Sequence, residues 1–165
     1  MLGHLGFSYI GLIFLLMLFI PNIIWSKNKP VNYDSTIENK ILVILERIGQ
    51  ISSASVILIF NDFNIDSFSI WSLWFILSFL LMILYEIAWF KYFKSERNIK
   101  NFYSDFYKIP VPLATLPVAA FILMGVYGKV IWLILSAIIL GIGHIGIHIQ
   151  HLRSIKPDLN EKTLK

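Results

Sequence analysis

Five apolar stretches, each about as long as a bilayer is thick, leave this chain almost no alternative to a bundle of membrane helices. Some ~20 apolar residues are needed for a helix to cross a hydrocarbon core of ~30 Å. Such runs read at residues 7–25, 40–60, 70–90, 110–127 and 130–150 of the 165. With 57% hydrophobic and only 15% charged residues, too little polar surface is left to clothe a soluble domain of this length. The expected fold is all-α: a five-transmembrane-helix bundle forming one domain over 1–152, with a polar cytoplasmic tail over 153–165.

Charge placement orients the bundle. Of the fourteen Lys and Arg, twelve fall in the first loop, in the connector after the third run and in the tail. Lys129 stands alone on the opposite side, and Arg47 lies inside the second run. The positive-inside rule therefore puts the twelve in the cytoplasm, which makes the chain N-out and C-in. Residues 1–9 carry no Lys or Arg and the positive flank, Lys27 and Lys29, follows the first run. That pattern fits a retained span rather than a cleaved leader. In the connector Lys91–Lys108, residues Ile99, Phe102, Tyr103 and Phe106 recur at helical spacing among Arg97, Lys100, Asn101, Asp105 and Lys108. A short amphipathic helix in the interface plane, between spans three and four, is expected there. Pro110 and Pro112 suit the start of the fourth span, and Pro117 predicts a kink.

Composition removes several chemistries. The chain has no cysteine, so disulfides, zinc–thiolate sites and thiol catalysis within it are excluded. The net charge of +4 reflects topology signals, and no nucleic-acid recognition module accompanies it. Gly141, Gly143 and Gly146 match a dinucleotide-binding pattern by letters only, since no strand precedes them.

Ionisable residues inside spans are costly, ~2.5–3.5 kcal/mol each on insertion scales, so each needs a reason. Glu46, Arg47, Gln50, Glu86, His144 and His148 all fall in the predicted cytoplasmic half, joined by Asn22, Thr115 and His151. On the second span Glu46, Arg47, Gln50, Ser53 and Ala54 share one arc, opposite Ile44, Ile48, Ile51 and Val56. On the fifth, Ala137, Gly141, His144, His148 and His151 form a stripe, while Gly143 and Gly146 lie on other sides, available for close helix packing. Two readings of the cluster stand side by side. In one, Glu46, Arg47 and Glu86 neutralise each other and fix helix packing. In the other, the cluster is a ligand, ion or proton site, with Glu46–Arg47 as the charge pair and Glu86–His144 as a pair that titrates near neutral pH. No cofactor is the leading expectation. A divalent metal on His144 and His148, spaced i and i+4, is the alternative, and it needs a carboxylate from another span. The zinc-protease helix is excluded, because no glutamate follows the first histidine.

Phe7-Ser8-Tyr9-Ile10-Gly11, Ile20–Trp25, Leu45-Glu46-Arg47-Ile48-Gly49-Gln50 and Gly141–His148 together resemble segments of a family of uncharacterised small polytopic bacterial integral membrane proteins. The resemblance spans nearly the whole chain and implies a bacterial plasma-membrane location. It implies no activity and carries over no catalytic residue. The function expected is a non-enzymatic ligand- or ion-binding protein or accessory subunit. Its partners would be the lipid bilayer and a homo-oligomer or membrane complex. A metal-dependent intramembrane enzyme or redox protein using His144 and His148 is the runner-up.

Overall fold

The computed structural model describes residues 2–30, 33–104, 106 and 108–161, with side chains as far as Ile155. Among these residues there are six α-helices and no strand: α1 (Tyr9–Lys27), α2 (Lys40–Ile59), α3 (Leu73–Lys94), α4 (Ile99–Phe102), α5 (Pro112–Tyr127) and α6 (Ile131–Glu161). Local chemistry sets their starts. The Ser8 hydroxyl accepts from the Gly11 amide and caps α1, Asn39 does the same for Ile41 at α2, and Pro112 sits in the first turn of α5, where no amide hydrogen is needed.

Four helical segments are long and apolar enough to cross a membrane: Tyr9–Lys27, Lys40–Ile59, Ile70–Lys94 and Ile131–Ile155. The fifth expected span is the 16-residue α5, equally apolar but shorter. In an apolar 18-residue stretch of each long segment only 17% to 39% of the residues are buried inside the protein, so most of that apolar surface faces outward. Ile44, Ile48 and Ile51, placed by sequence on the outer side of α2, are half or more exposed. A soluble protein does not present apolar area on this scale.

The helices close into a ring. α2 packs along α6, α6 on α5 and α5 on α3, while α1 touches α2 and α3 sparingly and completes the circuit. Successive long helices alternate in direction. At one end the segment before α1 runs beside the end of α2, with hydrogen bonds from the Gly6 and Ser8 amides to Ile59 and Leu58 carbonyls. Asn64 joins it by accepting from the Tyr9 amide and donating to the Phe7 carbonyl. At the other end Trp25 of α1 stacks on Phe102, and Tyr33 stacks on His151 of α6.

The connector between α3 and α5 departs from expectation. Its helix is four residues long, and Phe102, Tyr103 and Phe106 are all buried in the core cluster. These side chains close the end of the ring with Trp25 and Trp89, so their spacing reflects inward packing. Asp105, part of the expected amphipathic pattern, lies outside the described residues. Beyond the expected end of the fifth span α6 continues to Glu161, and Ile155 reaches the core. Lys162 and Lys165 of the tail lie outside the described residues.

Candidate functional site

The site begins where α2 and α6 come closest. Gly49 on α2 lies against the backbone of Leu140, and Gly143 on α6 lies against the backbone of Leu42 and Glu46. A Cβ at either position would run into main-chain atoms of the opposite helix. Only glycine permits that approach, the use of small residues at membrane helix interfaces anticipated for Gly143. The approach places His144, the next residue of α6, beside Glu46. His144 Nδ1 lies 2.5 Å from Glu46 Oε1, each side chain about one-fifth exposed (19% and 20%). A carboxylate accepts, so Nδ1 carries the proton and donates, which leaves Nε2 of a neutral His144 as an acceptor.

The two following histidines of the stripe meet different surroundings. The His148 ring lies 4.6 Å from that of His144 and packs against Phe102 and Tyr103. Nearly one turn further on, His151 Nε2 donates to Glu38 Oε1 at 3.1 Å, and the Tyr33 hydroxyl donates to the same oxygen at 3.0 Å. Burial, reinforced by the Glu38 carboxylate, pushes the Tyr33 hydroxyl well above the usual tyrosine range, so it stays a donor. Gln150 ties the loop down by donating to the Ile37 carbonyl at 2.6 Å and accepting from the Asn39 amide. Two histidine–carboxylate couples therefore bracket the buried His148, which has no carboxylate partner among the described residues.

A chamber of about 330 Å³ lies under the aromatic end of the ring, and its ionisable lining is Lys29, Tyr33, Glu38, Glu46, His144 and His148. A second cavity of about 300 Å³ runs toward mid-bundle between α1, α2, α5 and α6, with an apolar lining that includes Leu15, Phe19, Val118 and Phe121. Asn22, Ser26, Gln50 and His144 border both. Phe19, Ile23 and Gln50, which line the apolar cavity, are themselves exposed, so it opens outward between α1 and α2.

The six residues singled out by sequence are not all together. Glu46, Gln50, His144 and His148 meet at the chamber. Arg47 is exposed on α2, and no carboxylate lies within ion-pair distance of it among the described residues. Glu86 stands apart in a groove between α1 and α3. Glu46 thus pairs with His144, in place of the Glu46–Arg47 and Glu86–His144 pairings expected. Thr115 is satisfied locally by the Pro110 and Val111 carbonyls. Among the described residues no three His, Asp or Glu side chains converge as a metal-donor set. Glu38, Tyr33 and Trp25 were missed by sequence reading. They sit at or beyond span ends, where periodicity carries no information about which elements meet.

Chemically, a carboxylate-oriented imidazole in a small polar chamber can hold or exchange a proton and can hydrogen-bond a ligand through Nε2. No protein-family model, no curated protein and no solved structure matches this chain. What remains of the resemblance noted above is membrane character, carried by the apolar helices.

Proposed function

We propose that this chain is a multi-pass protein of the bacterial plasma membrane. It crosses five times, N-out and C-in, and binds a small amphiphile without transforming it. The observation that carries this reading is the meeting of two cavities of opposite character at His144, Gln50, Asn22 and Ser26. Each is at the lower end of the size range of small-ligand sites. The polar end of a ligand would sit against Glu46–His144 and its apolar end would fill the shaft, reached from the bilayer between α1 and α2.

Several facts support the topology. The end of the ring that holds Trp25, Tyr33, Phe102 and His151 is also the end from which the basic loops emerge. α5, at 1.5 Å per residue, is ~24 Å long, which tilt of its neighbours and local bilayer adjustment accommodate.

Native mass spectrometry of the protein released from membranes in mild detergent tests the ligand. Wild type is compared with His144→Ala, with Ala54→Phe, which fills the shaft, and with the His144→Ala/His148→Ala double variant. A bound small molecule present in wild type and lost from both single variants supports an amphiphile. Loss in His144→Ala alone would mean a wholly polar ligand and overturn it, as would a wild type that carries nothing. Near one metal per chain by elemental analysis, lost in the double variant, would make this a metalloprotein instead.

A further inference from the structure

Away from the helix ends, Arg47 and Glu86 lie on the outside of the ring without an ion-pair partner among the described residues, and they have opposite charge. Glu86 lies in an open groove of about 450 Å³ whose walls are apolar, chiefly Met17, Ile20 and Ile24 of α1 with Ile83 and Ile87 of α3. Its Oε1 is out of reach of solvent and meets no donor among the described residues. Arg47 is exposed on α2, ~100° round the helix from Glu46. That rotation carries it toward the side of Gln50 and Ala54, which border the opening beside α1, and away from Leu42 and Gly49, which meet α6. Since α1 stands between α2 and α3 in the ring, Arg47 and Glu86 flank it from its two sides.

Their depths agree. Arg47 is seven residues from Lys40 at the start of α2, and Glu86 is eight from Lys94 at the end of α3. At 1.5 Å per residue these are ~10 Å and ~12 Å from the same end of the bundle. Between them α1 offers an uncharged surface from Tyr9 to Ser26, with Leu16, Phe19, Ile20 and Ile23 all exposed.

We propose that two copies of this chain pair through their α1 faces, with Arg47 of each meeting Glu86 of the other. A two-fold axis parallel to the helices and centred on α1 sets α2 of one copy against α3 of the second, and the reverse on the other side. One symmetric contact thereby satisfies all four charges in two reciprocal ion pairs, which is the self-complementarity an isologous interface requires. The groove suits arginine in particular. Its apolar stem lies along the isoleucines, its guanidinium meets a carboxylate in a paired geometry, and further N–H groups remain. Pro21 has no amide hydrogen to return to the Met17 carbonyl, so an acceptor is at hand in the same groove. A lipid headgroup could answer Arg47 but would leave Glu86 bare, whereas the second copy supplies both charges at matching depth. The pairing depends on the helices standing in a membrane and needs no bound ligand, although it sets the second copy across the opening between α1 and α2.

The absence of native cysteine allows a direct test in membranes. Ile20→Cys puts a single thiol on the α1 face, and Ile142→Cys puts one on the exposed far wall at α6. Under mild oxidation the first is expected to form a covalent dimer and the second to stay monomeric. Arg47→Glu or Glu86→Arg, added to Ile20→Cys, should each cut the dimer yield at least fivefold, and the two together should restore it. Glu86→Gln and Arg47→Gln serve as milder versions where a reversal prevents accumulation, and each should lower the yield. Equal cross-linking from positions 20 and 142, no recovery in the double reversal, or a cross-link to a different protein would overturn the proposal.

Discussion

Replacing Gly143 by alanine is the sharpest test of how the site is assembled. The added Cβ would meet the Glu46 amide nitrogen and lie 2.6 Å from the Leu42 carbonyl oxygen and 2.7 Å from Glu46 Cα. Carbon atoms rest at ~3.5–4.0 Å, so α2 and α6 must part by about 1 Å. No rotamer change relieves the clash, because all three atoms belong to the main chain of a helix. Overpacking of this kind costs ~1–3 kcal/mol, and the better helix propensity of alanine returns up to ~1 kcal/mol. The net expectation is a loss of ~1–2 kcal/mol. The same movement would stretch the Glu46–His144 contact from 2.5 Å to about 3.5 Å, the edge of hydrogen bonding. Two controls sit in the same helix. Alanine at Gly141 would come within 2.9 Å of Val118 Cγ1, and at Gly146 within 3.0 Å of Leu42 Cδ1, side-chain atoms that give by a few tenths of an ångström more readily than a helix backbone does. These should fall within ~0.5 kcal/mol of wild type or stabilise it. Reversible unfolding in mixed micelles, followed by circular dichroism, ranks the three. If Gly143→Ala is no worse than Gly141→Ala, the close approach of α2 and α6 is not what holds the site.

Three further outcomes are expected. In a double-mutant cycle, Glu46→Gln and His144→Ala should couple by ~0.5–3 kcal/mol, while Glu46→Gln and Arg47→Gln should add independently; the same unfolding assay reads both, and the reverse pattern would restore the Glu46–Arg47 pairing. Single cysteines at the exposed Asp66 and Glu96 should label from the outer and the cytoplasmic side respectively, and the opposite labelling would invert the proposed topology. At the Asp62 carboxyl, burial works upward, but hydrogen bonds from the His4 amide and ring outweigh it and hold the group below its ordinary 3.8. A depressed carboxyl stabilises above its unfolded value and loses that contribution as pH falls through the folded one. Asp62→Asn should therefore speed hydrogen exchange of residues 3–8 at neutral pH, by about 0.5 kcal/mol at this exposed pair, with no difference from wild type remaining once the solution is well below pH 3.8.

Length and apolarity made the helices legible, and α2 begins at the residue expected. The polar stripe of α6 was legible as well, because His144, His148 and His151 share a face by spacing alone. What spacing does not carry is the neighbour across the gap. Around a lipid-facing bundle the outside is as apolar as the core, so α3 and α5 show no strong amphipathic face to orient them. Glu86 therefore read as an inward residue when it faces a groove beside α1. The aromatic residues of the connector misled for a related reason. A helical repeat of Phe and Tyr looks the same whether it covers a membrane surface or plugs the end of a bundle. Glu38 escaped notice because an extended segment before a helix has no periodicity to read.

The tightest helix contact joins the second long helix to the last, with Glu46 and His144 98 positions apart in the chain. A chain made from its N-terminus delivers α2 to the bilayer well before α6 exists. During that interval Glu46 has no imidazole, and Gly49 leaves a notch with nothing seated in it. Insertion and assembly are thus separate events in time, and the early helices must wait in lipid for the final one. Loss of the C-terminal part, through a premature stop or a stalled ribosome, would strand a charged helix in the membrane, a state that cellular quality control can distinguish from the finished protein.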